Sequence, residues 1–241
     1  MKFTLGLIAI LAIANLGQAY SVLDFSKKLI IEMEQNSEED IEKRLELFEE
    51  LMDFFYLVNR SKEFSDILED YLIEDLKIEQ AILFLFTNEF HDLLSALEAL
   101  KEFQALVVYL DKAGLIIVEL IQEFHTSFRM KDYVPPKIEG FFKSLIKTQK
   151  ISDGMEGMIK DLYNALPLDK IDARYEETLR TSKVYADFIT KVTSKEMEKI
   201  INDLIAHKTY KEFITKTKEK GCDFEGLSIL NARIIGIKIE K

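Results

Sequence analysis

Apolar and charged residues alternate along most of this chain with the period of an α-helix. Leu45, Phe48, Leu51, Met52 and Phe55 follow three-, four- and seven-residue spacing with charges between them, which predicts a helix with one apolar face. Ser37, three residues ahead of Asp40, is placed to cap its start. Thr87 opens a second pattern carrying Phe90, Leu93, Leu94 and Leu97. A third, Phe103, Leu106, Val107 and Leu110, stops at Gly114. Pro135-Pro136 suits the first turn of a helix bearing Ile138, Phe141, Phe142, Leu145 and Ile146. Pro167 with Asp169 opens another, and Ser182 begins one with Val184, Tyr185, Phe188 and Ile189. The reading is all-α, with about a dozen short helices. Ile234, Ile235, Ile237 and Ile239 alternate like a strand, but without a partner strand they read better as a fraying last helix.

Gly114 and Gly221 both stand where a helix stops, and glycine takes the left-handed cap conformation without a steric penalty. They are 107 residues apart. Sliding the chain by that amount brings Phe90 onto Met197, Leu94 onto Ile201, Leu97 onto Leu204 and Val107 onto Ile214. This register predicts two duplicated helical repeats, relating residues 64–130 to residues 171–236 and packed as one globular body. The expected organisation is a first repeat over 61–150, a second over 151–241, and extra helices at 20–60 in front of them. Cys222 follows Gly221 as a small apolar contact at a helix end.

Several helices are apolar over more than one face: I-E-Q-A-I-L-F-L-F from Ile78 to Phe86, L-V-V-Y-L from Leu106, and L-I-I-V from Leu115. Such segments belong at the centre of a bundle. A chain of 241 residues needs few central helices, so two arrangements remain open. One is a solid, well-packed core. The other is a hollow helical shell around a large apolar cavity, which must hold an apolar ligand because an empty void costs on the order of 24 cal/mol per Å³. Facing that interior, helical spacing selects Phe86, Phe90, Leu94, Val107, Leu110, Ile117 and Ile121 from the first repeat, and Phe188, Ile189, Ile201 and Leu204 from the second.

Composition narrows the function. Acidic residues outnumber basic ones 43 to 32, for a net charge of -11, the wrong sign for nucleic-acid binding. One cysteine rules out a disulfide scaffold and a cysteine-rich zinc site. The N-terminus carries Lys2, an apolar run from Leu5 to Leu16, and Gly17-Gln18-Ala19 as a small-residue cleavage site. This reads as a secretory signal over residues 1–19, cleaved after Ala19. The run is too short to span a bilayer, and no later stretch is long and uncharged enough for a transmembrane segment. The expected location is therefore extracellular. Asn59-Arg60-Ser61 is then a candidate N-glycosylation site.

Reactive motifs are lacking. There is no GxSxG, HExxH, P-loop or GxGxxG, and His91, His125 and His207 fall on separate helical patterns without metal-ligand spacing. The expectation is a non-catalytic protein without a cofactor or metal.

The segment from Leu97 to Gly114, L-E-A-L-K-E-F-Q-A-L-V-V-Y-L-D-K-A-G, resembles the recurring motif of the insect allergen repeat family, which includes a cockroach major allergen and secreted midgut microvillar proteins. Leu166-Pro-Leu-Asp-Lys-Ile171 is similar to its second motif, and Pro135-Pro136, some ten residues after His125, resembles its third. Lys101 departs from the pattern, standing where the family often has proline; so do the polar segment Arg129 to Val134 and the stretch Thr215 to Lys220. The resemblance implies a roughly spherical helical shell that binds fatty acids or phospholipids and is secreted into the gut lumen or held at the microvillar surface. Two other roles stay open: a detoxification factor acting on plant defence compounds, which one branch of the family supplies, and a ligand-free structural protein of the microvilli.

Overall fold

A computed structural model describes residues 37–130 and 153–238. The signal segment, Pro135-Pro136 and Ile239 lie outside the described residues. Twelve α-helices make up the described chain, and no strand occurs among these residues. They are α1 (Glu38–Asn59), α2 (Lys62–Glu74), α3 (Leu76–Phe84), α4 (Asn88–Glu98), α5 (Lys101–Lys112), α6 (Ile117–Ser127), α7 (Gly154–Asn164), α8 (Leu168–Thr181), α9 (Lys183–Val192), α10 (Lys195–Ala206), α11 (Lys208–Glu219) and α12 (Phe224–Ile234). None of them is long and apolar enough to cross a membrane.

The starts follow from short polar side chains that accept otherwise unpaired backbone N–H groups. Ser37 accepts from the Asp40 amide, Thr87 from Phe90, Ser182 from Tyr185 and Ser194 from Met197. At α8 the start is different. Pro167 precedes the first turn, while Leu166 and Ile171 are both buried, at the two positions that form a hydrophobic staple. Lys101 is the first residue of α5, the place where a proline is also accommodated.

The stops recur as one motif. Gly114, Gly221 and Gly236 have φ of 99°, 88° and 82°. In each case the next residue's N–H reaches back to a carbonyl five residues earlier: Leu115 to Leu110, Cys222 to Thr217 and Ile237 to Ala232. A fourth copy ends α6, where Arg129 takes φ 55° and Met130 bonds back to His125. Ile234 and Ile235 therefore end a helix, α12, ahead of Gly236, and Ile237 follows the stop.

The helices fall into two series with matching boundaries. Helices α3, α4, α5 and α6 begin at 76, 88, 101 and 117; α9, α10, α11 and α12 begin at 183, 195, 208 and 224, each 107 residues later. Helix α7 stands 107 residues after residues 47–57, the C-terminal half of α1. Packing between the series is reciprocal. Helix α5 lies on α10 while α4 lies on α11; α1 packs on α8 and α9 while α7 packs on α2 and α3. Nearly all buried apolar residues join one contiguous cluster.

Helix α1 uses two apolar stripes. Phe48 joins Ile116 in a small separate cluster, flanked by the partly buried Ile41, Leu45 and Met52. Leu47, Leu51, Phe54 and Val58 enter the main core instead. The spacing in the sequence merged the two stripes into one face, taking Leu51 and Phe55 from the deeper one and missing Leu47, Phe54 and Val58, because a 22-residue helix that touches α2, α8, α9 and α12 buries more than one face.

The caps give an ordered expectation. A Cβ at Gly114 would meet nothing nearer than Leu47 Cδ2 at 3.5 Å, so Gly114→Ala should cost only the left-handed backbone penalty, about 1 kcal/mol. A Cβ at Gly236 would overlap the Tyr175 side chain, so Gly236→Ala should cost at least about 2 kcal/mol by adding overpacking. Urea titrations of both variants beside the parent check this; equal midpoints for the two would contradict it.

Candidate ligand-binding interior

The interior is built where the two series meet. Phe90, on α4, is fully buried and touches aromatic rings from four other helices. Its ring centroid lies 5.6 Å from Phe84 on α3, 6.3 Å from Phe124 on α6, 6.2 Å from Phe213 on α11 and 6.1 Å from Phe224 on α12. Phe124 continues the set to Phe128 at 4.6 Å, and Phe128 meets Phe86 at 5.2 Å. Offset and edge contacts of this kind contribute about 0.5–1.5 kcal/mol each beyond area burial. A second aromatic group, Phe54 stacked on Tyr185 at 5.6 Å, joins α1 to α9.

The residues selected by helical spacing all reach this one cluster. Phe90, Leu94, Leu110, Ile117, Phe188, Ile189, Ile201 and Leu204 are buried within it. Phe86, Val107 and Ile121 are half-buried and pack against it. The spacing missed Phe124, Phe213, Phe224 and Met197, all buried in the same cluster. The 107-residue register carries a signal for two of them, since Phe224 is the counterpart of Ile117 and Met197 that of Phe90.

Several polar groups inside are tied to the backbone or to each other, while Thr178 Oγ1 is buried without a hydrogen-bond partner. The buried Tyr185 hydroxyl donates to the Ile235 carbonyl at 2.8 Å, and burial pushes its phenol pKa well up. Asp75, 2% exposed, is the largest departure from a solvated acidic face. Its Oδ1 accepts the Lys77 and Ile78 amides at 2.8 and 3.3 Å, and its Oδ2 accepts the Gly154 amide at 2.8 Å. One carboxylate thus satisfies the N-termini of both α3 and α7, where helix dipoles favour negative charge. Nearby, Tyr71 donates to Asp161 at 2.7 Å; burial first, then that bond, raises its pKa. Arg233 pairs with Asp172 at 2.6 Å, and Arg174 bridges Glu50 and Asp53.

The three histidines all make hydrogen bonds between or at helices. His91 Nε2 meets the Leu85 carbonyl at 3.1 Å, His125 Nε2 meets Glu98 Oε1 at 2.7 Å, and His207 Nδ1 accepts the Thr209 amide. Among the described residues no group of three or more His, Cys, Asp or Glu is placed to hold a metal ion. Cys222 is fully buried with its thiol 3.3 Å from the Ala81 carbonyl. What the interior offers chemically is apolar contact, from aromatic and branched aliphatic side chains of both series.

A family model described as insect allergen related repeat, nitrile-specifier detoxification, matches residues 46–228. No curated protein and no solved structure matches the chain.

Burial pushes the Cys222 thiol up to about 12, so almost no thiolate exists in the folded protein at neutral or mildly alkaline pH. Native protein should therefore resist alkylation by iodoacetamide at pH 8 and take up one equivalent once unfolded in guanidinium. Mass spectrometry of the two samples checks this; rapid modification of the native form would contradict the burial.

Proposed function

The chain belongs to the insect allergen related repeat family, and from that premise we propose that it is a secreted, non-catalytic binding protein for fatty acids or phospholipids, acting in the gut lumen or at the microvillar surface. The observation that carries this reading is the shared interior. Apolar residues of both helix series converge on one cluster, from Phe90 and Ile117 on one side to Phe188 and Ile201 on the other, and the buried Tyr185 hydroxyl beside it is occupied by the Ile235 carbonyl. An acyl chain needs apolar contact and little else, because each buried methylene contributes about 0.8 kcal/mol. The matched boundaries and reciprocal packing of the two series support a second element of the proposal. The series are copies of one unit, and the ligand lies where they face each other.

The family description also names nitrile-specifier detoxification. A role of that kind would act on plant defence compounds and calls for a polar or metal-assisted site. The three histidines instead serve hydrogen bonds that hold helix ends and neighbours, which favours the binding reading.

If lipid completes the interior, binding stabilises the folded state by mass action. A fatty acid present at 100 times its dissociation constant should add about 2.7 kcal/mol. For a chain of this size, that raises the melting temperature by roughly 5–10 °C. The series of chain lengths should differ more than saturated and unsaturated chains of one length, since tail volume sets the contact area. Thermal unfolding of delipidated protein against such a series, below micelle-forming concentrations, is the test. Superimposable melting curves throughout would favour a ligand-free structural protein.

A further inference from the structure

Tyr56 is a large aromatic residue that the core does not use: it is 41% exposed, on the outer surface of α1. One helical turn later comes Asn59, the last residue of α1, also exposed. Residues three apart on a helix are surface neighbours, so Tyr56 and Asn59 stand on adjoining turns of one exposed face. Asn59 opens the triplet Asn59-Arg60-Ser61. The chain turns at this point: Arg60 keeps helical angles, Ser61 is extended, and α2 starts at Lys62. Ser61 precedes α2 without a capping hydrogen bond from its side chain. The Asn59 backbone carbonyl is satisfied by the Ser65 hydroxyl at 2.7 Å, which fixes the turn without using the Asn59 amide side chain. The same place in the second series is Leu166, which is buried. A branched polar adduct fits the first site only.

We propose that Asn59 carries an N-linked oligosaccharide whose first sugar stacks on the exposed ring of Tyr56. This rests on the secreted reading above, because the transferase acts in the secretory pathway. The donor is a lipid-pyrophosphate-linked oligosaccharide. The Asn59 side-chain nitrogen attacks the anomeric carbon; the C–N bond forms as the C–O bond to pyrophosphate breaks. The amide proton passes to a base of the transferase, and the lipid pyrophosphate leaves. After folding, the glycan projects into solvent from the α1–α2 turn, with the apolar face of its first ring against Tyr56. That contact covers an aromatic surface otherwise left in water.

The test is expression of the full chain in insect cells, with intact-mass and peptide mapping of both the N-terminus and Asn59. A chain beginning at Tyr20 and bearing a glycan at Asn59, absent from Asn59→Gln and from Ser61→Ala, is the expected result. A chain beginning at Tyr20 with unmodified Asn59 overturns this proposal and leaves secretion standing. A chain that keeps its leader, without glycan, overturns both. The stacking is read separately from melting temperatures before and after enzymatic deglycosylation. Removal should lower the value in the parent and have a smaller effect in Tyr56→Ala; equal shifts in the two would overturn the contact.

Discussion

Short helices cannot stand alone, and this protein is made of little else. Eleven of the twelve described helices have 14 residues or fewer, a length at which isolated helices are marginal in water. Their order comes from burial of apolar stripes against neighbouring helices of both series. The meeting of α3, α4, α6, α11 and α12 around Phe90 is the densest expression of that dependence, since one side chain there contacts rings from both series.

The polar interactions set the positions of helices that the apolar contacts stabilise. Asp75 joins the starts of α3 and α7, and the Tyr109 hydroxyl donates to the Lys191 carbonyl while Lys191 donates to the carbonyl of Lys112. Each of these links the first series to the second. Apolar contacts are weakly directional, so bonds of this kind fix how the two series register against each other. The glycine stops do similar work within a series, turning the chain sharply enough for the next helix to pack back.

Much of this was legible in the sequence because it is local. Ser37, Thr87 and Ser182 as caps, and Gly114 and Gly221 as stops, depend on residues within one turn of the chain, and eight of the eleven residues picked by helical spacing are buried in the main cluster while Phe86, Val107 and Ile121 pack against it. What was hidden depends on contacts between distant segments. Asp75 reads as one more acid in an acidic chain; it is special only because the Gly154 amide, 79 residues away, comes to its carboxylate. Phe124 and Phe213 lie on ordinary amphipathic stripes, and only the packing of α6 and α11 against α4 brings both to Phe90. The family was carried by the Leu97–Gly114 motif, whose residues build a helix and its Schellman stop and contain no reactive group.

Lipid held in this interior in the living source is the point on which the proposed function stands or falls. The direct measurement is to purify the protein from its native tissue without detergent, record its mass under native conditions, and then extract it with organic solvent for lipid analysis. A lipid-filled interior gives a native mass above that of the bare chain and its covalent modifications, with the difference recovered as fatty acid or phospholipid in fixed ratio to protein. A native mass that matches the covalent protein alone, with no lipid in the extract, would contradict it.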